Sequence, residues 1–104
     1  MPRGIAGFAQ LHELEGHSPD KVWSLGATEV RLGRKREEND IPLKGLKASR
    51  KHAVIRFERG QYVIEGLSPD NPVVVNDQAI SQPRILQGGD VIKLGDTTLR
   101  FEQS

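Results

Sequence analysis

Short runs in which apolar residues take every second position recur along this chain, each closed by glycine, proline, asparagine or aspartate. That period of two constrains the fold more than any other feature, because it suits a strand with one buried face and leaves no apolar stripe for a helix. After Val54, IRFERGQYVIEGL reads as two strands joined at Arg59-Gly60, with Ile55 and Phe57 inward and Arg56 and Glu58 outward. Gly60 supplies the positive φ that a tight hairpin needs. VIKLGDTTLRFEQ repeats the pattern around Gly95-Asp96, with Leu99 and Phe101 alternating with Thr98, Arg100 and Glu102. FAQLHEL, VWSL and EVRLG read as three earlier strands, and NDIPL as a short edge strand because Pro42 cannot donate to a ladder. VVVN and QAI flank an Asn76-Asp77 turn, and PRILQGGD holds a strand ending at Gly88-Gly89. Some ten short strands with turns roughly every 8–12 residues predict an all-β sandwich of mostly antiparallel strands.

The length of 104 residues suits one domain, expected to span the chain with its core at about residues 8–102, whether it stands alone or is cut from a longer protein. An apolar share of 36% is enough for a single core. The absence of cysteine rules out disulfides and thiolate ligands and fits a reducing compartment, the cytoplasm or, in a eukaryote, the nucleus. No apolar run approaches the roughly 20 residues of a membrane span, so no membrane partner is expected. Three scattered histidines (His12, His17, His52), no metal-ligand spacing and no phosphate-loop motif predict no catalytic residue, no metal and no cofactor.

Charge is distributed unevenly. Residues 31–59 hold ten basic and four acidic side chains, a net +6, while the remainder carries a net −5. An electropositive region and an anionic partner follow, with a solvated charged face as the plain alternative. Nucleic acid is not the expected partner, because there are only five aromatic residues and Phe57 and Phe101 fall on core faces, leaving little for base stacking.

Three stretches concentrate candidate binding groups. In LGRKREEND, Gly33 allows a bend at a strand end, and Arg34 projects a planar fork able to grip two phosphate oxygens. The stem of Arg34 is equally suited to covering a sheet edge. In LKASRKH, Ser49 either donates to an anion or bonds its own turn, and Lys47, Arg50 and Lys51 raise the local potential. His52 opens an apolar strand and fits a core histidine satisfied by hydrogen bonds better than a base or ligand, since nothing completes a Ser–His pair. In SPDNPVVVND, Asp70 and Asn71 belong to a loop, where the Asn71 amide is able to hold a peptide main chain or to form an Asx-turn.

LGR (32–34), SRKHAVI (49–55), GQYVIEGL (60–67), DNPVVVND (70–77) and GGDVIKLGDTTLRF (88–101) occur in an order and spacing that resemble a forkhead-associated (FHA) domain, over about Phe8 to Phe101. The resemblance implies an eleven-stranded β-sandwich of the SMAD/FHA type that binds phosphothreonine peptides through loops at one end. It implies Arg34, Ser49 and Arg50 as phosphate-binding residues and Asn71 as the residue that fixes the peptide main chain. Asp70 and Lys47 join the peptide-binding set, Lys47 favouring an acidic residue downstream of the phosphate. Gly33 and His52 become structural supports. The expected partner is a threonine-phosphorylated protein, a kinase or a kinase substrate, met by a domain that is monomeric in isolation.

One departure from the family stands out: Asn71-Pro72-Val73 replaces the usual Asn-Gly-Thr. Proline removes the turn freedom that glycine gives, and valine lacks the threonine hydroxyl that braces the loops. The alternative role is a scaffold of the same fold, holding another protein or its own copy without regard to phosphate.

Overall fold

The computed structural model describes residues 9–16 and 20–103, all in strands, turns and loops apart from one 3-10 turn at Arg36–Glu38. Phe8, expected to begin the first strand, and His17 lie outside the described residues. Eleven strands form two sheets. Six pair in the order β2 (Val22–Leu25), β1 (Ala9–Glu15), β11 (Thr97–Gln103), β10 (Val91–Leu94), β7 (Val74–Val75) and β8 (Gln78–Ala79). Five pair in the order β4 (Ile41–Pro42), β3 (Val30–Gly33), β5 (Ala53–Glu58), β6 (Gln61–Gly66) and β9 (Arg84–Ile85). The expected all-β sandwich is the observed fold.

The hairpins lie where the turn chemistry puts them. Glu58 pairs with Gln61 across Arg59-Gly60, whose φ angles of 52° and 77° are both left-handed. Val75 pairs with Gln78 across Asn76-Asp77, at 50° and 67°. Two left-handed residues in succession match the right-handed twist of the flanking strands. The strand in PRILQGGD is shorter than expected and ends at Ile85, because Leu86 turns into the core and Asp90 Oδ2 accepts the Gln87 N–H.

Alternation holds along most strands. Leu99 and Phe101 are fully buried, and Ile55 is nearly so. Thr98 is the exception among the outward set. It is buried opposite the register shift between Glu13 and Glu15 in β1, with its hydroxyl donating to Glu15 Oε1 over 3.4 Å. Arg56 faces outward into ion pairs with Glu65 and Glu58. Tyr62 of one sheet meets Phe101 of the other edge to face, ring centroids 5.6 Å apart, while its hydroxyl donates to the Gly26 carbonyl at 2.8 Å. Each such fully buried large side chain contributes about 1.5–3 kcal/mol.

One pairing matters for the site. β4 runs parallel to β3 at the edge of its sheet, where the missing N–H of Pro42 costs no ladder bond. Parallel neighbours need the chain to double back, so residues 34–40 leave β3 at Gly33 and return beside Arg31. The Asp40 N–H donates to the Arg31 carbonyl, and Asp40 Oδ2 accepts the Arg31 N–H. This puts Arg34 at the end of the sandwich where β5 begins.

Candidate functional site

Two loops meet at this end, one joining β3 to β4 and one joining β4 to β5. The Arg34 N–H donates to the Ser49 carbonyl at 2.8 Å, and the Lys35 N–H to the Arg50 carbonyl at 3.3 Å. Gly33 is what permits the approach: a Cβ there would collide with the Arg50 carbonyl oxygen and lie 2.7 Å from the Asn39 amide. From the other sheet, the turn at Gly95 presses on the Lys47–Ala48 backbone, where a Cβ would stand 2.8 Å from the Lys47 carbonyl.

The side chains then converge. Arg34 Nε donates to the Ala48 carbonyl at 3.0 Å, which aims the guanidinium and leaves its two terminal nitrogens without a partner among the described residues. Ser49 Oγ accepts from Asn71 Nδ2 at 2.6 Å and donates to Ser68 Oγ at 2.8 Å. Asn71 and Ser68 belong to a third loop, between β6 and β7. Arg34, Ser49, Arg50 and Asn71 therefore line one open hollow of about 670 Å3, together with Glu38 and Lys51. Exposed Leu46 and Leu67 stand on its walls. Lys47 and Asp70 are outside that lining; the Lys47 ammonium lies 3.8 Å from Asp96, and Asp70 is exposed.

His52 sits beneath all three loops, fully buried. Its Nδ1 accepts the Ser49 N–H at 3.2 Å, its Nε2 faces the Pro72 carbonyl at 3.5 Å, and its own carbonyl accepts the Leu67 N–H at 2.9 Å. An accepting Nδ1 makes Nε2–H the neutral tautomer. Burial lowers the pKa of the ring, against the opposing pull of the Pro72 and Asn71 backbone, so it is uncharged at neutral pH. Val73, which stands where the family carries a threonine, is fully buried in the core against Gly66. Packing takes its place in the brace, and the polar links to that loop run from Ser49 to Ser68 and Asn71 and from His52 to Leu67 and the Pro72 carbonyl.

Asn39 and Ser68 are members of the site that inspection of the sequence alone did not single out. Asn39 Nδ2 donates to the carbonyls of Lys35 and Arg50 at 2.6 and 2.8 Å, tying the first loop to the second. The signal was there in the END and GLSPD turns, as polar residues beside acids and proline, but any turn shows as much. Glu38 is a third such residue. It pairs with Lys35 at 2.8 Å and Lys51 at 3.6 Å, and its hydrogen bond to Lys35 is the main cause of a lowered carboxyl pKa. Much of the +6 segment is spent away from the hollow: Arg56 pairs on the sheet face, and Arg31 pairs with Glu29. No group of three metal-ligating side chains occurs among the described residues, and no helix among them is long and apolar enough to cross a membrane.

The family described as FHA domain matches residues 30–95, more than half of the chain. The transcriptional regulatory protein EmbR of Mycobacterium tuberculosis is 34% identical over 104 residues, which is all of this chain and 26% of that protein. An FHA domain-containing protein of Arabidopsis thaliana is 37% identical over 86 residues, 81% of this chain and 22% of the relative. The chain thus spans about a quarter of the curated relatives it matches. Among solved structures, an Arabidopsis FHA domain superposes with a TM-score of 0.87 at 27% identity, covering 94% of this chain and 86% of that one. EmbR in complex with a low-affinity phosphopeptide superposes at 0.83 with 34% identity, covering 93% of this chain and 24% of that one. The chain belongs to the FHA domain family, a family of phosphothreonine-binding modules.

Proposed function

We propose that this domain recognises phosphothreonine on a partner protein and performs no chemistry on it. The observation that carries this reading is the meeting of Arg34 and Ser49, fifteen residues apart in the chain, on one open hollow with Arg50 beside them. The terminal nitrogens of Arg34 are free to take two phosphate oxygens, and the Ser49 hydroxyl is free to turn its proton from Ser68 to a third. Phosphothreonine brings about −1.5 to −2 charges at pH 7 and three strong acceptors. Each charge-assisted hydrogen bond contributes about 1.5–3 kcal/mol. Two or three of them supply about 3–9 kcal/mol, and contacts along the peptide would add the remainder of a micromolar affinity, near −8 kcal/mol, once ordering costs are subtracted. Asn71, held by Ser49, would take the peptide main chain, and the low-affinity phosphopeptide bound by EmbR supports a phosphopeptide as the ligand class here. The partner is accordingly a protein marked by a threonine kinase, or the kinase itself.

Titration of phosphothreonine peptide libraries onto the wild type and Arg34→Ala tests the reading. Wild type is expected to select phosphorylated over unphosphorylated peptides, and Arg34→Ala to lose that selection. Equal affinity for both proteins, or a partner retained after phosphatase treatment, would transfer the role to a phosphate-independent scaffold.

A further inference from the structure

Arg34 also lines a cavity of about 250 Å3 that shares neither Ser49 nor Asn71 with the hollow and reaches β1, β2 and the start of β11. Among the described residues, Lys21, Arg36 and Lys44 line it with Arg34, four cations against the carboxylate of Glu13. Arg36 and Lys44 form no ion pair among the described residues, and the Lys21 ammonium lies 4.3 Å from the centroid of the Trp23 ring. Trp23 forms part of the wall, half-buried, and its indole N–H is buried with no hydrogen-bond partner among the described residues. A folded chain keeps like charges apart unless something offsets them, so unpaired cations around one concavity create a field that concentrates anions. Because Arg34 lines both spaces, the cavity adjoins the hollow in which a peptide would be held.

We infer that this cavity takes a second anionic side chain of the same phosphopeptide, a phosphorylated residue or a carboxylate, so that the domain prefers doubly anionic ligands. The inference rests on the phosphothreonine reading. Its occupant is chosen by charge and by the shared Arg34: the cavity is too small for a protein segment and too cationic for an apolar one.

The test uses peptides carrying one phosphothreonine and, at each position on either side in turn, a second phosphate or a glutamate. Some position is expected to raise wild-type affinity about tenfold, with the phosphate exceeding the carboxylate. Lys21→Ala combined with Lys44→Ala removes two exposed side chains and is expected to abolish that gain while leaving the singly phosphorylated peptide within about twofold. Trp23 is the chain's only tryptophan, so its indole N–H resonance is a local probe. It is expected to shift with the doubly anionic peptide and to stay put with the singly phosphorylated one. A gain absent at every position, a gain that survives the double substitution, or an unmoved Trp23 signal overturns the cavity assignment alone. Failure of the singly phosphorylated peptide to bind overturns the phosphothreonine reading and this inference with it.

Discussion

The two ends of the sandwich are built by different means. At the end that carries the β5–β6 hairpin, Arg59 and Gly60 turn the chain using only their own φ angles, and a Cβ on Gly60 would meet nothing within 4 Å. At the loop end, the contacts that matter join residues 14, 19, 20 and 22 positions apart: Arg34 with Ala48, Ser49 with Ser68, His52 with Pro72, Asn71 with Ser49. The first end is a local solution to reversing direction. The second is a set of three loops with little structure of their own, held by one buried imidazole and a few polar bonds. Where a ligand is to be gripped by groups from several loops, their positions have to come from long-range contacts.

Substitutions at the two ends should therefore fail differently. His52→Ala should have the largest effect. Removing the ring leaves the Ser49 N–H without its acceptor in a buried cavity, a loss of about 3 kcal/mol in denaturant unfolding, accompanied by weaker phosphopeptide binding. If binding survived intact in the folded fraction, the imidazole would not be the brace described above. Arg34→Ala should separate the two properties. Phosphopeptide affinity should fall about ten- to a hundredfold in calorimetry, while the melting temperature stays near that of the wild type, since the side chain is exposed.

Gly60→Ala should do the reverse. A left-handed φ of 77° strains any residue with a Cβ, so stability should drop by about 1 kcal/mol with peptide affinity unchanged. Glu38→Gln should give the smallest change and the opposite sign. Releasing Lys35 and Lys51 from the carboxylate should tighten phosphopeptide binding about threefold at low salt, and the gain should shrink as salt is added.

Acid should separate the two ends as well. The pKa of His52 is lowered in the fold, chiefly by burial, so the unfolded chain binds the extra proton first. Its contribution to stability is complete above the unfolded value of 6.5 and declines as the pH falls below it. Amide exchange should accordingly rise first at Ser49 and Leu67, whose N–H groups bond the His52 ring and carbonyl, while the Arg59-Gly60 hairpin is unaffected over the same range.

The hairpins were legible because Arg59-Gly60 and Asn76-Asp77 carry their instruction in two adjacent residues, and the alternation beside them says which face is buried. Ser49, His52 and Asn71 were legible only as a pattern; taken singly, each fits an ordinary turn or core position. Asn39, Ser68 and Glu38 were not legible, because a polar loop residue gains its role from which carbonyl or ammonium the other loops bring beside it. Thr98 escaped for a related reason, since a register shift in β1 covers it from a strand more than eighty residues away.

By itself, the order of residues determined that this chain would form strands, where most of them reverse, and which side chains would be apolar enough to build two facing sheets. Period-two alternation and left-handed turn residues act over a few bonds and need no distant partner. Only the tertiary structure decided that the +6 segment would divide between paired sheet-face arginines and two adjoining concavities around Arg34. That division follows from the parallel return of β4 and the tight approach at Gly33, which are properties of the packed sheets.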